Sequence, residues 1–247
     1  MEAGSSNPTH SDPTHASNEL VLTKDGSHTL YSARFNQWYH SLHGAFDESK
    51  RIFLELGLNY LLESGKQEIR ILEMGFGTGF NALLTLLKAG QSPVVVHYTS
   101  LEAYPVPPEA YRQLNYDEFM HTAVLQSLHE AAWDTDVHLS PAFTLRKVQA
   151  TLQDFLANET LGEPYDLVYY DAFAPSSQPE LWTTEIFSGI GRRLQVGSLL
   201  TTYCSKSVVR RALQAAGFRV EKHPGPHGKR EVVRAIWEPE RSNEPYN

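Results

Sequence analysis

Residues 69–101 read as strand, glycine turn, helix, glycine and strand in immediate succession, and that order leaves few folds open. Ile69-Arg-Ile-Leu-Glu73 is an apolar run closed by a carboxylate, and Gly75, Gly77 and Gly79 follow at alternate positions. A helical pattern over 81–88 is stopped by Gly90, and 94–101 is again β-branched and aromatic. Two strands joined through a helix pair in parallel, because parallel neighbours need a long crossover. The rhythm continues with helical stretches over 109–119 and 123–133, a strand over 143–148, a helix over 152–158 and a strand over 165–170 that runs into Asp171. Then come a helix over 185–194, a turn at Gly197, a strand over 198–203, a helix over 207–216, a strand over 217–222 and a last strand over 231–237 returning antiparallel. The expectation is a Rossmann-like α/β fold, with a mostly parallel twisted sheet and helices on both faces.

The N-terminal part has a different texture. Residues 1–19 are rich in Ser, Asn, Pro, Thr and His and read as a disordered leader without the apolar core of a signal peptide. Residues 20–53 carry turn signals and aromatics, with a hairpin turn at Thr23-Lys-Asp-Gly26, and read as a small β-rich appendage. Apolar residues at helical spacing from Glu48 to Leu62 open the main domain, drawn here as 54–237, and 238–247 reads as a polar tail.

Composition narrows the function classes. The formal net charge is −8, which argues against non-specific coating of nucleic acid or anionic membrane while allowing a local basic patch. Cys204 is the only cysteine, so an internal disulfide and a cysteine-based zinc site are excluded, no metal site is expected, and a reducing cytoplasm fits. Cys204 reads as a small buried strand residue and not as a nucleophile. No window approaches the roughly 18 apolar residues of a membrane span.

The glycine loop lies between strand and helix, where glycines let backbone turn sharply and approach a ligand. Glu73 closes the strand before it, Asn81 opens the helix after it, and Glu102 closes the next strand, where a carboxylate can take both ribose hydroxyls. A ligand-free structural turn and an NAD or FAD site are the competing readings. The spacing is Gly-x-Gly-x-Gly, and it resembles motif I of class I S-adenosylmethionine-dependent methyltransferases, which implies that the loop lies under the adenosyl and methionine groups. The acidic station usual after the third strand is less clear, with Gln149 and Asp154 as the two choices and Asp154 as the candidate cofactor-binding residue.

The strand Tyr165-Asp-Leu-Val-Tyr-Tyr-Asp171 ends on a carboxylate and passes through Ala-Phe-Ala-Pro175 into a loop, so Asp171 belongs at the lip of the cleft. Together with Pro179-Glu-Leu-Trp182, Gly44-Ala-Phe-Asp-Glu48-Ser, the glycine loop and Gly225-Pro-His-Gly-Lys-Arg-Glu231, this segment resembles the MnmD proteins and the N-terminal half of bifunctional MnmC. These tRNA methyltransferases complete 5-methylaminomethyl-2-thiouridine at the wobble position. The resemblance spans residues 30–237. It implies S-adenosylmethionine as cofactor, a tRNA anticodon stem-loop as partner, 5-aminomethyl(-2-thio)uridine made by other enzymes as substrate, and Asp171 as the catalytic group that orients the amine. The sequence ends at Asn247 with no second glycine-rich βαβ unit, so FAD is not expected.

Tyr31, Phe35, Tyr39, Phe173 and Trp182 are candidates to wall the pocket and stack on a flipped-out base, although core packing is the alternative for each. Glu48 and Gln178 are candidate polar contacts at the mouth. For the RNA backbone the candidates are Lys206, Arg210, Arg211, Lys222, His223, His227, Lys229, Arg230 and Arg234, forming one basic patch. Two rival functions stay open: transfer of a methyl or aminopropyl group to a free small amine, and a non-catalytic subunit that binds RNA or protein through the same fold.

Overall fold

The computed structural model describes residues 19–158 and 162–239. The chain begins with an antiparallel sheet of β1 (Glu19–Leu22), β2 (His28–Ser32) and β3 (Gln37–Trp38). The Thr23 to Gly26 turn forms as expected, with Asp25 accepting from the Thr23 hydroxyl at 2.8 Å and the Ser27 N–H at 3.0 Å. Residues 1–18 of the expected leader lie outside the described residues, and Glu19 pairs with Tyr31.

Helix α1 runs through Ala45–Ser49, a π-helical stretch Lys50–Leu58, and Asn59–Glu63. The boundary expected between residues 53 and 54 falls inside it. Ile52, Phe53, Leu56 and Leu58 are buried against the main sheet, so this helix belongs as much to the large core as to the appendage.

The remaining elements follow the expected rhythm: β4 (Glu68–Met74), α2 (Phe80–Ala89), β5 (Val95–Leu101), α3 (Pro108–Tyr111), α4 (Tyr116–Met120), α5 (Leu125–Glu130), β6 (Asp136–Ser140), β7 (Phe143–Val148), α6 (Leu152–Ala157), β8 (Tyr165–Tyr170), α7 (Thr184–Gly191), β9 (Leu194–Thr202), α8 (Ser207–Ala215), β10 (Phe218–Pro224) and β11 (Glu231–Trp237). The sheet order is β10-β11-β9-β8-β4-β5-β7-β6. The five strands from β9 to β7 are parallel, and β6, β10 and β11 run antiparallel at the two edges.

Alternation along the strands builds two cores, because successive side chains leave a strand on opposite faces. Leu167 and Tyr169 of β8 join the core under α1 and α2, while Val168 and Tyr170 join the one under α7 and α8. Helices therefore cover both faces, as expected.

Three local expectations are corrected. The helix expected over 109–119 is split into α3 and α4, because Asn115 turns its side chain to the appendage: Oδ1 accepts the His28 N–H at 2.8 Å and Nδ2 donates to the Gly26 carbonyl at 2.8 Å. Strand β6 was not foreseen; it is short, polar and half-exposed, as edge strands are. Gly197 lies in an irregularity within β9, whose Leu194 pairs with Tyr165 and Leu199 with Leu167, and not in a turn before the strand. Of the expected polar tail, residues 240–247 lie outside the described residues, and the Glu238 N–H donates to the Gly217 carbonyl at 3.1 Å.

Candidate active site

Strand order reverses about β4, whose neighbours are β5 on one side and β8 on the other. The carboxyl ends of these strands surround a cleft of about 820 Å³, the position where open α/β sheets bind ligands. Its walls come from the main sheet, the appendage and the loop between β10 and β11.

The glycine loop forms the floor. Gly75 (φ +87°) and Gly77 (φ +49°) have left-handed backbones, and a Cβ on Gly77 would lie 2.9 Å from the Tyr39 ring. A Cβ on Gly75 would lie 3.2 Å from the Asp171 carbonyl oxygen. The loop is pressed between appendage and sheet, and only glycine combines that turn with that clearance. Gly79 precedes α2 and does not line the cleft; it packs toward His129 and Phe76.

Glu102 follows β5 and locks onto this loop. Its Oε2 accepts the Gly77 N–H at 3.0 Å and its Oε1 the Tyr104 N–H at 2.7 Å, and the Ala103 N–H also bonds to the carboxylate, which leaves one of its four lone pairs for a ligand. Burial raises its pKa. Glu73, expected at the same ligand, is instead sealed under the loop. It is 1% exposed, Oε2 accepts from the Ser100 hydroxyl at 2.6 Å, and burial pushes its pKa up to about 8. Asp154 lines the cleft but is engaged at the start of α6, where the Thr151 hydroxyl donates to it at 2.6 Å; Gln149 is not among the lining residues.

Asp171 leaves β8 with its N–H donating to the Met74 carbonyl at 3.2 Å, so β4 sets its position. Asn81 Nδ2 donates to Oδ2 at 2.9 Å, which leaves Oδ1 to accept from a ligand. Burial, and next the negative charge of Glu48, push its carboxyl up to about 7, against the Asn81 hydrogen bond and Lys229.

Aromatic rings close the mouth. Phe35 stacks on Phe173 with ring centres 4.5 Å apart, Tyr39 meets Phe173 edge-on at 5.2 Å, and Phe35 meets Tyr104 at 5.7 Å. Gln178 Oε1 accepts the Phe173 N–H at 3.1 Å. Gln37, which sequence reasoning missed, accepts the Ala174 N–H at 3.1 Å and donates to Ser176 Oγ at 3.3 Å, stitching β3 to the loop after β8. Tyr31 also lines the cleft, with its hydroxyl donating to Asn36 and its ring against Trp38.

Trp182 is a correction. It is 4% exposed, packs against Tyr170, Phe187 and Tyr203, and donates from Nε1 to the Phe173 carbonyl at 2.8 Å, so it supports the wall from behind.

Lys229 is a second correction, because it turns into the cleft and away from the expected outer patch. Its Nζ contacts Glu48 and sits 4.2 Å from the centre of the Tyr203 ring. Glu48 is buried and also accepts the Ser41 N–H at 2.7 Å. Tyr203 had no motif to betray it, although a residue just beyond a parallel strand is where the topology concentrates function.

The other expected basic residues do not line the cleft. Lys206, Arg211 and Arg230 are exposed, and Arg210 donates to the Ser205 carbonyl at 3.2 Å. Lys222 pairs with Glu231 at 3.0 Å, while Arg234 and His223 both face Glu221. His227 is exposed. Cys204 is buried, and burial raises its thiol pKa.

Residues 115–238 match a family model described as S-adenosyl-L-methionine-dependent methyltransferase. The chain belongs to that family. The left-handed glycine cradle, the remaining Glu102 lone pair and the buried Asn81 Oδ1 without a hydrogen-bond partner fit the cofactor. This methyltransferase is 31% identical over 239 residues to the tRNA 5-methylaminomethyl-2-thiouridine biosynthesis bifunctional protein MnmC of Cupriavidus metallidurans, a match covering 90% of this chain and 34% of that one. It thus spans about a third of the length of that relative. The crystal structure of MNMC2 from Aquifex aeolicus superposes with a TM-score of 0.71 at 28% identity, covering 95% of this chain and 73% of that one. Spermidine synthase from Thermotoga maritima, at 10% identity and a TM-score of 0.56 over 94% of this chain and 79% of its own, shares the fold. Among the described residues, no helix of this methyltransferase is long and apolar enough to cross a membrane.

Proposed function

We propose that the protein transfers a methyl group to the amine of 5-aminomethyl(-2-thio)uridine at the tRNA wobble position, giving the 5-methylaminomethyl product. The observation that carries this reading is the half-buried Asp171 carboxylate, anchored through one oxygen in the cleft that Phe35, Tyr39 and Phe173 also line. Likeness to MnmC and MNMC2 over most of the chain supports it.

S-adenosyl-L-methionine supplies, when bound, a methyl group on a positively charged sulfur. Glu102 and Asp154 would hold its adenosine part, and Gly75, Gly77 and Asn81 its amino-acid part. Phe35 and Phe173 offer flat faces to a base drawn out of a single-stranded loop. Asp171 accepts an N–H of the substrate amine and points the nitrogen at the methyl group.

An alkylamine must lose a proton before it can attack. Burial disfavours both the ammonium and the carboxylate, and it has already brought Asp171 to about 7. A proton can therefore pass from the arriving ammonium to Asp171 Oδ1, leaving the nitrogen lone pair free. Oδ1 then hands that proton to solvent at the mouth of the cleft, so that a carboxylate again faces the nitrogen as the sulfur–methyl bond breaks and positive charge moves from sulfur to nitrogen.

Lys206, Arg210 and Arg230 are proposed to meet RNA phosphates. Arg210 and Arg230 both act on Glu231, which puts the start of α8 and the β10–β11 loop on one side of the protein. The upstream enzymes that make the aminomethyl group supply the substrate, and a cytoplasmic location is part of the same reading.

Nucleoside mass spectrometry of tRNA from cells with and without the gene tests this. Accumulated 5-aminomethyl uridine in the deletion is expected. Unchanged wobble nucleosides, with methyl label passing only to free small amines, would refute it.

A further inference from the structure

Lys229 makes an unusual pair of contacts for a surface-loop lysine. Its primary ammonium reaches inward, meets the buried Glu48 carboxylate and lies 4.2 Å from the centre of the Tyr203 ring. A carboxylate opposite an aromatic face is the chemistry that binds an alkylammonium ion. Both partners are held firmly: Glu48 by the Ser41 N–H at 2.7 Å, and Tyr203 by its hydroxyl donating to the Ala172 carbonyl at 2.8 Å. Ala172 follows Asp171 directly, and Glu48, Asp171, Tyr203 and Lys229 all line the one cleft.

We propose that Glu48 and the Tyr203 face form the subsite for the substrate's primary ammonium, and that Lys229 is a tethered stand-in which the substrate displaces. This deepens the proposed function and rests on its alkylamine substrate. The displaced lysine is carried by the loop from Gly225 to Arg230, whose Gly228 packs against the His43 ring, and its ammonium then faces the mouth where RNA phosphate arrives. The arriving amine meets Glu48 as a cation and passes to Asp171 as it loses its proton. Binding and methyl acceptance thus use two different carboxylates.

The sign of one substitution tests the idea. Lys229→Met keeps most of the side-chain stem and removes the competing ammonium. Binding of benzylamine and of the 5-aminomethyluridine nucleoside is measured by titration calorimetry on protein saturated with S-adenosylhomocysteine, after thermal unfolding confirms that the variant is folded. Loss of a phosphate contact or of loop structure would weaken binding or leave it alone. Displacement of a stand-in predicts the opposite, tighter binding by roughly three- to tenfold, the range expected for a partly desolvated cation–aromatic and carboxylate contact.

A Glu48→Gln variant must lose amine affinity, and adding Lys229→Met to it must no longer tighten binding. Weaker, unchanged or undetectable amine binding to Lys229→Met overturns the proposal, as does tightening that persists without the Glu48 carboxylate. If both amines tighten alike while the nucleoside binds no better than benzylamine, the subsite stands and the uridine reading falls.

Discussion

Replacing Asp171 by Asn is expected to abolish methyl transfer and, at alkaline pH, to stabilise the ligand-free protein. The Asp171 carboxyl is raised from an ordinary 3.8 to about 7, chiefly by burial and then by Glu48. Between those values the unfolded chain has released a proton that the folded chain still holds. Folded wild-type protein therefore loses stability as pH rises through this window, and above it carries the full penalty of a buried charge. A rise of about 3 corresponds to roughly 4 kcal/mol. The Asn81 hydrogen bond at 2.9 Å favours the charged form and is already contained in that net rise. A gain of up to roughly 4 kcal/mol for Asp171→Asn is expected above pH 8, equivalent to about 8–16 °C in a domain of this size. Near pH 5 the gain should be much smaller. Glu73, buried and raised to about 8, adds its own fall in stability to both proteins, and Asp171 ionisation contributes to that rise. Thermal unfolding at intervals from pH 5 to pH 9 without ligands measures the difference directly. A melting-temperature gap that stays constant with pH, or a variant less stable than wild type at pH 8, would refute the assignment of Asp171 as a strained buried carboxylate.

Gly77→Ala puts a Cβ 2.9 Å from the Tyr39 ring on a left-handed backbone that disfavours alanine by about 1 kcal/mol; calorimetry should show cofactor affinity reduced roughly tenfold or more, given that 1.4 kcal/mol is tenfold. Glu102→Gln weakens the hold on the Gly77 and Tyr104 N–H groups and alters the acceptor offered to the cofactor, so KM for S-adenosyl-L-methionine should rise more than kcat falls in steady-state assays. Phe35→Ala removes the ring 4.5 Å from Phe173 and is expected to raise KM for RNA while leaving cofactor affinity unchanged. Trp182→Phe deletes the buried bond from Nε1 to the Phe173 carbonyl and should lower stability by about 1–2 kcal/mol in denaturant titrations; normal stability with a raised KM for RNA would return Trp182 to the substrate-contacting set.

The strands, the glycine loop and the carboxylate that closes β8 are all local signals, and they were legible because each is written in neighbouring residues. Alternating apolar side chains in 165–170 already contain both cores, and the Gly-x-Gly-x-Gly spacing already contains a loop that only glycine can form at Gly77. Pattern reading was weaker where a long-range partner decides the outcome. A helix over 109–119 is locally reasonable, yet Asn115 gives its side chain to the backbone of residues 26 and 28. The polar stretch of β6 becomes a strand only because β7 offers it an edge.

The same division runs through the cleft. Sequence alone marked Asp171, Glu102, Gly75 and Gly77, which line the cleft, because motif spacing ties them to strand ends. It also marked Glu73 and Trp182, but strand alternation and the path of the chain turn these inward, where Glu73 faces Ser100 and Trp182 supports Phe173 from behind. Lys229 was legible only as a positive charge in a Gly/Pro loop. Its meeting with Glu48 joins residues 181 positions apart, and only the tertiary fold, by bringing the β10–β11 loop over the first turn of α1, turns that charge from the solvent toward the cleft.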